Sequence, residues 1–309
     1  MAKVITENGI SATVIADSRS AGRTGVRLTT LELEYPRFIL AELNTHRMLS
    51  KNSASSRAIP VEKMHEQINK RPAVPVHWGK NQAGMQANQQ LDALESESAR
   101  GVWLAARDQA VSHARLLQQI GLHKQVANRV TEPWMMMKSV VTATEWRNFL
   151  WLRDHPDAQP EIRALAVCVR ECFLQSTPNT LQPGEWHVPY VHTTRDENGV
   201  LQYFIGDECV SADVAKKVSA SCCAQVSYRK NDDSVTKAHD IFARLVESQP
   251  VHASPVEHQA TPMVEPLDYL SNNWQPGITH VDRNFAFWSG NFRGWIQHRK
   301  LVPQESQPG

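Results

Sequence analysis

Between Val26 and Tyr35 the chain alternates, with Leu31, Leu33 and Tyr35 set against Glu32 and Glu34. A period of two predicts a strand with one buried face, and Ala12 to Asp17 reads as a second strand before it. Pro36 then opens a helix carrying Phe38, Ile39, Leu40 and Leu43, at a position where its missing N–H does no harm. Residues 71–85, rich in Pro, Gly and Trp, read as a loop. A long helix follows from about Ala87 to Ile120, with Leu91, Leu94, Trp103, Leu104, Leu116 and Leu117, and with Gly101 as a weak point. Ala127 to Ala143, which contains Trp134-Met-Met-Met137, reads as core strands or a hairpin. Trp146, Phe149 and Leu150 share one helical face, which Arg153 continues at i+7. Residues 179–207 read as irregular, punctuated by Pro183-Gly184, Pro189 and Asn198-Gly199. A last helix spans about Ser234 to Ser248: Asp233 or Ser234 caps it, Val235, Ala238, Phe242 and Leu245 share a face, and Pro250 follows its end. These elements predict a mixed α/β (α+β) protein with a mixed sheet and long helices, as one elaborated domain over residues 1–302. The polar, Pro-containing residues 303–309 read as a disordered tail.

With 309 residues, 41% of them hydrophobic, the chain can bury a substantial core. Its 33 basic and 32 acidic residues give no reason to expect duplex nucleic acid or a membrane surface, so any anion site must be local. No apolar run approaches spanning length and the N-terminus lacks a signal-peptide core, which points to the cytoplasm. Of five cysteines, Cys168 and Cys172 fall on an apolar helix face, Cys222 and Cys223 are adjacent, and Cys209 stands alone. Neither Cys-x-x-Cys nor His-Glu-x-x-His occurs, so no metal site is expected, and no cysteine has surroundings that favour a reactive thiolate.

Chemistry concentrates in Thr45-His-Arg-Met-Leu-Ser-Lys-Asn-Ser-Ala-Ser-Ser-Arg57. One imidazole, two guanidiniums, an ammonium, an amide and four Ser hydroxyls in thirteen residues suit phosphate and a planar heterocycle. The same cations also suit the C-terminal dipole of the preceding helix. Arg153 poses a similar choice. A guanidinium on a buried stripe needs an anion or a ring of acceptors, and Asp154 or Glu161 could supply a plain core ion pair.

His46-Arg47, Asn52, Ser55 and Arg57 resemble the signature of the flavin-dependent thymidylate synthases, with Thr45 where the family has Arg. The stretch Thr144–Arg153, followed by Asp157-Ala-Gln-Pro-Glu-Ile, is similar to that family's paired helices. Ala224-Gln-Val-Ser227-Tyr228, the helix after it and His252-Ala-Ser-Pro-Val-Glu257-His258 resemble its N-terminal motifs. Here they stand near the C-terminus, at about 218–260, so the resemblance implies a circularly permuted order. It implies methylation of dUMP with FAD as cofactor and methylenetetrahydrofolate and NADPH as co-substrates. Arg153 would act on the uracil. His46, Arg47, Asn148, Ser227, Ser254 and Glu257 would hold the flavin. Glu42, Ser55, Ser56 and Arg57 would hold the nucleotide, with Arg129 reaching it from a neighbouring subunit of a homotetramer. Departures at Thr45, Ser53, Ser56, Thr142, Thr144 and Glu42 leave two other readings open. One is a pyrimidine nucleotide hydroxymethylase acting on dUMP or dCMP, and the other is an inactive nucleotide-binding homologue. Glu42 bears on the base, because a carboxylate accepts from an exocyclic amine and repels a carbonyl.

Overall fold

The computed structural model describes residues 2–22, 25–227, 232–264 and 274–306. Its centre is a six-stranded sheet of β1 (Lys3–Ile5), β2 (Ser11–Ser20), β3 (Arg27–Pro36), β4 (Ser50–Ser53), β5 (Met136–Ala143) and β6 (Asn179–Leu181). The order is β1-β2-β3-β5-β4, antiparallel throughout, with β6 added parallel to β2. The alternation in β3 works as its pattern requires: Leu31, Leu33 and Tyr35 are fully buried, while Glu32 and Glu34 are half-buried on the other face.

Pro36 leads into a 3-10 turn, Arg37–Ile39, and then α1 (Leu40–Asn44), which delivers the motif to β4. α2 (Val61–Lys70) follows, and then the 27-residue α3 (Ala93–Gln119). α3 starts later than its apolar pattern suggests because Asp92 and Glu95 form a reciprocal cap, with Asp92 accepting from Glu95 N–H at 2.8 Å and Glu95 from Asp92 N–H at 3.0 Å. Gly101 does not break it. Residues 127–143 are not a hairpin: α4 (Lys124–Ala127) runs into a 3-10 helix, Asn128–Trp134, and only then does β5 begin. Pro133 within that turn removes a ladder donor, which keeps this stretch out of a central strand.

α5 (Arg147–Arg153) and α6 (Pro160–Gln175) form the expected pair. α6 lays Ile162, Leu165, Ala166, Cys168, Val169 and Cys172 into the main core beneath the sheet. Ile162, Leu165 and Val169 each contribute about 1.5–3 kcal/mol on burial. Residues 179–207 are more regular than their turn signals suggest. β7 (His192–Arg195), β8 (Leu201–Ile205) and β9 (Glu208–Val210) make a three-stranded antiparallel sheet, and Asn198-Gly199 lies in its first turn.

α7 (Ala212–Ala224) and α8 (Val235–Leu245) then pack together, with Ser234 capping α8 through Lys237 N–H. A 3-10 turn, Ser254–Glu257, precedes β10 (Ala260–Pro262). β11 (His280–Val281), β12 (Phe287–Ser289) and β13 (Phe292–Arg293) form a small sheet, and β14 (Trp295–Gln297) pairs with β10. Arg293 ties this end to the start of α5, its N–H to Thr144 Oγ1 (3.1 Å) and its Nε to Glu145 (2.7 Å). Within the tail, Glu305 pairs with Arg299 and Lys300. Tyr228 of the Ser227 motif and residues 307–309 lie outside the described residues. Among those described, no helix is long and apolar enough to cross a membrane.

Candidate active site

Arg153 occupies the place its helical stripe dictates. Trp146 and Phe149 are buried, and the Phe149 ring meets His46 edge-on with centroids 5.1 Å apart. Arg153 Nε donates to His46 Nε2 at 2.8 Å, and its NH1 pairs with Glu42. Asp154 is engaged by Arg170, and Glu161 accepts from Val76 N–H, so neither nearby carboxylate holds Arg153. Burial first, then the cations of Arg153 and Lys51, push the His46 pKa down to about 4. A neutral imidazole with its proton on Nδ1 is what an Nε2 acceptor requires.

Glu42 and Arg153 lie on one wall of a cleft of about 1280 Å³. Phe38 and Trp103 line the same cleft, edge to face at 6.5 Å. Trp103 is fixed by donating from Nε1 to the Ala73 carbonyl (3.0 Å), so α3 and the preceding loop wall the cleft. A forked cation beside an aromatic wall can orient a planar ring and stabilise charge on its edge.

A family model described as "thymidylate synthase complementing protein" matches residues 27–179, the stretch that holds all of these groups. Over those residues the chain belongs to the thymidylate synthase complementing protein family. Among solved structures, the chain is similar to the UMP/dUMP methylase PolB from Streptomyces cacaoi. The form bound with 5-Br UMP is 15% identical over 56% of this chain and 92% of that one, with a TM-score of 0.45. The form bound with 5-Br dUMP is 14% identical over 56% and 93%, with a TM-score of 0.44. No curated protein matches the chain.

The other motif residues fall in four further places. Arg47, exposed, shares a smaller cleft of about 310 Å³ with Glu257, Ser50 and Arg299, and Ser254 lies on the turn that carries Glu257. Ser55 and Arg57 sit in the turn after β4. There Ser55 N–H donates to Ser227 Oγ (3.0 Å) and Arg57 N–H to Ser55 Oγ (3.3 Å). The Arg57 guanidinium is exposed and has no ion pair among the described residues. Ser56 is buried and donates to Glu132 at 3.0 Å, and Arg129 reaches the same carboxylate at 3.6 Å, so both stand apart from either cleft. Asn148 is exposed on α5.

The departures from the family pattern have internal partners. Thr45 Oγ1 donates to the Glu42 carbonyl (2.7 Å) and closes α1. Ser53 joins a hydroxyl chain with Ser139 and Tyr35, each link 2.6 Å. Thr144 anchors Arg293, as described above. Thr142 belongs to a buried relay in which Ser18, His187, Thr30, Thr142 and His258 follow one another at 2.7–2.8 Å. Burial lowers His187 to about 4, and burial together with His187 lowers His258 to about 3.

Three positioning residues carry no motif signal. Asn128, fully buried, donates to the carbonyls of Ser56 (2.8 Å) and Ile59 (2.9 Å) and so sets the Ser55–Arg57 turn. Asn291 and Gln297 converge on Ser50 from the far end of the chain. The buried thiols are poor nucleophiles, since burial raises Cys168 to about 11, Cys222 to about 12 and Cys223 well above its ordinary value.

Proposed function

We propose that the chain is a flavin-dependent thymidylate synthase of circularly permuted order, which methylates carbon 5 of dUMP. The observation that carries the reading is Arg153, clamped by His46 and Glu42 on the wall of the large cleft, within a domain of this family. A uracil stacked along Phe38 and Trp103 would present its edge to that guanidinium. There the fixed cation stabilises the negative charge that builds as carbon 5 becomes nucleophilic. Neutral His46 holds Arg153 without competing for positive charge. Ser55 and Arg57, whose guanidinium has no ion pair among the described residues, would take the phosphate, with Arg129 contributing across a subunit boundary in a tetramer.

Arg47, Ser254 and Glu257 would hold the flavin at the smaller cleft. Reduced FAD, regenerated by NADPH, would supply the hydride that completes a methyl group from methylenetetrahydrofolate. The fit is electrostatic: Arg47 is an exposed cation with no ion pair among the described residues, beside a cleft bearing two more. The permuted order draws support from packing. Asn52 donates to the Cys223 carbonyl (3.2 Å), Ser55 N–H to Ser227, and Glu257 raises the pKa of Lys51 against the effect of burial. The moved piece thus lies on the motif strand, as the unpermuted order would also have it.

Tritium release from dUMP labelled at carbon 5 tests the reaction. Release that requires folate and flavin and disappears in Arg153→Ala is the expected result; release indifferent to Arg153 overturns it. Glu42 favours a second reading, in which the base carries an exocyclic amine and the substrate is dCMP, because its carboxylate faces the same cleft.

A further inference from the structure

The wall of the small cleft opposite Arg47 comes from residues 290–300, outside the family domain. Gly290 turns the chain there at φ +58°, and a Cβ on it would stand 2.8 Å from Gln297 Oε1 and 3.2 Å from Lys300 Cε. Glycine therefore lets Lys300 and the Gln297 amide approach the mouth. The floor is a polar lattice. Asn291 and Gln297 donate to Ser50 Oγ at 3.1 and 3.2 Å, and Gln297 also donates to the Glu257 carbonyl at 2.9 Å.

Three cations surround this floor: Arg47, Arg299 and Lys300. Arg47 has no ion pair among the described residues. Arg299 is divided between Glu257 and Glu305, its Nε 2.6 Å from Glu305 Oε2, and Lys300 Nζ lies 2.5 Å from Glu305 Oε1. One carboxylate from the tail thus bridges two cations with both oxygens, as an oxyanion from solution would. Hydrogen bonds from Lys300 and Arg299 outweigh the burial of Glu305 and keep it ionised. With Glu305 withdrawn, three cations would face Glu257 alone, a surplus of two charges.

We propose that Arg47, Arg299 and Lys300 form a phosphate or diphosphate site for a nucleotide ligand, and that Glu305 holds that position in the ligand-free chain. A space of about 310 Å³ accommodates the phosphate portion of such a ligand and leaves the rest to neighbouring surface. Binding displaces Glu305, so the tail competes with the ligand. Phosphate recognition stands on this cleft alone; assigning the ligand as the flavin dinucleotide rests on the reading above.

Calorimetric titration of the full chain with inorganic pyrophosphate, FAD and dUMP tests this, with melting curves to establish that each variant is folded. Glu305→Gln removes the charge of the competing carboxylate and is expected to tighten pyrophosphate binding about fivefold. Lys300→Ala is expected to weaken it about tenfold, the scale of one charged hydrogen bond. Arg47→Ala, which breaks no internal ion pair, repeats that test should Lys300→Ala fail to fold. Unchanged affinity in Glu305→Gln, or in the folded cation variant, overturns the site. If FAD follows the pyrophosphate pattern, the occupant is the flavin diphosphate; if dUMP follows it, the occupant is the substrate phosphate. If pyrophosphate alone responds, the phosphate site stands and the flavin assignment of this cleft falls.

Discussion

Acidification should weaken this protein through its buried histidine relay. His187 and His258 are 1% and 0% exposed, and their folded-state pKa values of about 4 and about 3 lie below the ordinary 6.5. The unfolded chain therefore takes up more protons as pH falls, so stability is lost from about pH 6.5 downward and levels off near pH 3–4. At pH 5 an unfolded histidine is almost fully protonated while the buried one is not, which amounts to about 2 kcal/mol each, or about 4 for the pair. That is a large share of a typical stability of about 5–15 kcal/mol. His46 and His298, also held near 4, add to the same window, so the diagnostic quantity is the difference between proteins. Urea unfolding at pH 7 and pH 5, followed by tryptophan fluorescence, should show the loss. His258→Gln, which cannot take up a proton, should reduce it by about 2 kcal/mol. Equal stability at the two pH values, or a variant that keeps the full loss, would refute the reasoning.

Three further outcomes are expected. Arg153→Ala should lower kcat by about 10²–10³, the scale of one preorganised donor, with unchanged circular dichroism; a loss confined to KM would place Arg153 in binding alone. Glu42→Gln should shift preference toward uracil over cytosine nucleotides in a competition assay, and unchanged selectivity would retire Glu42 as the base reader. Gly290→Ala should destabilise the chain by about 1–3 kcal/mol, through its positive φ and the displacement of Gln297, read as a lower urea midpoint; an unshifted midpoint would show that the turn can relax.

Where hydrophobic period and burial coincide, the sequence was readable. β3, the α5–α6 pair and α8 all present a large apolar stripe to one neighbour, and Arg153 stands out in the sequence because it continues such a stripe. α7 shows no stripe: Val218 to Cys223 are almost all small and all buried, because the helix is enclosed on several sides. The 3-10 helix over Asn128–Trp134 mimics a strand in composition, since Trp and Met pack equally well in either form. The strands of the β7–β9 sheet are only three to five residues long, which leaves little alternation to read. Half of the candidate site depends on long-range meetings that no local pattern encodes. Arg47 faces Arg299 and Lys300, Ser55 meets Ser227, and Thr142 meets His258. The Glu42 carboxylate bears on the base from sequence alone, and only the structure shows that it also clamps Arg153.

The most direct measurement is the mass of the nucleotide formed when the purified chain is incubated with FAD, NADPH, methylenetetrahydrofolate and a mixture of dUMP and dCMP. The expected product is dTMP, formed from dUMP and absent with Arg153→Ala. A hydroxymethyl product, modification of dCMP alone, or unchanged nucleotides would contradict the proposed reaction.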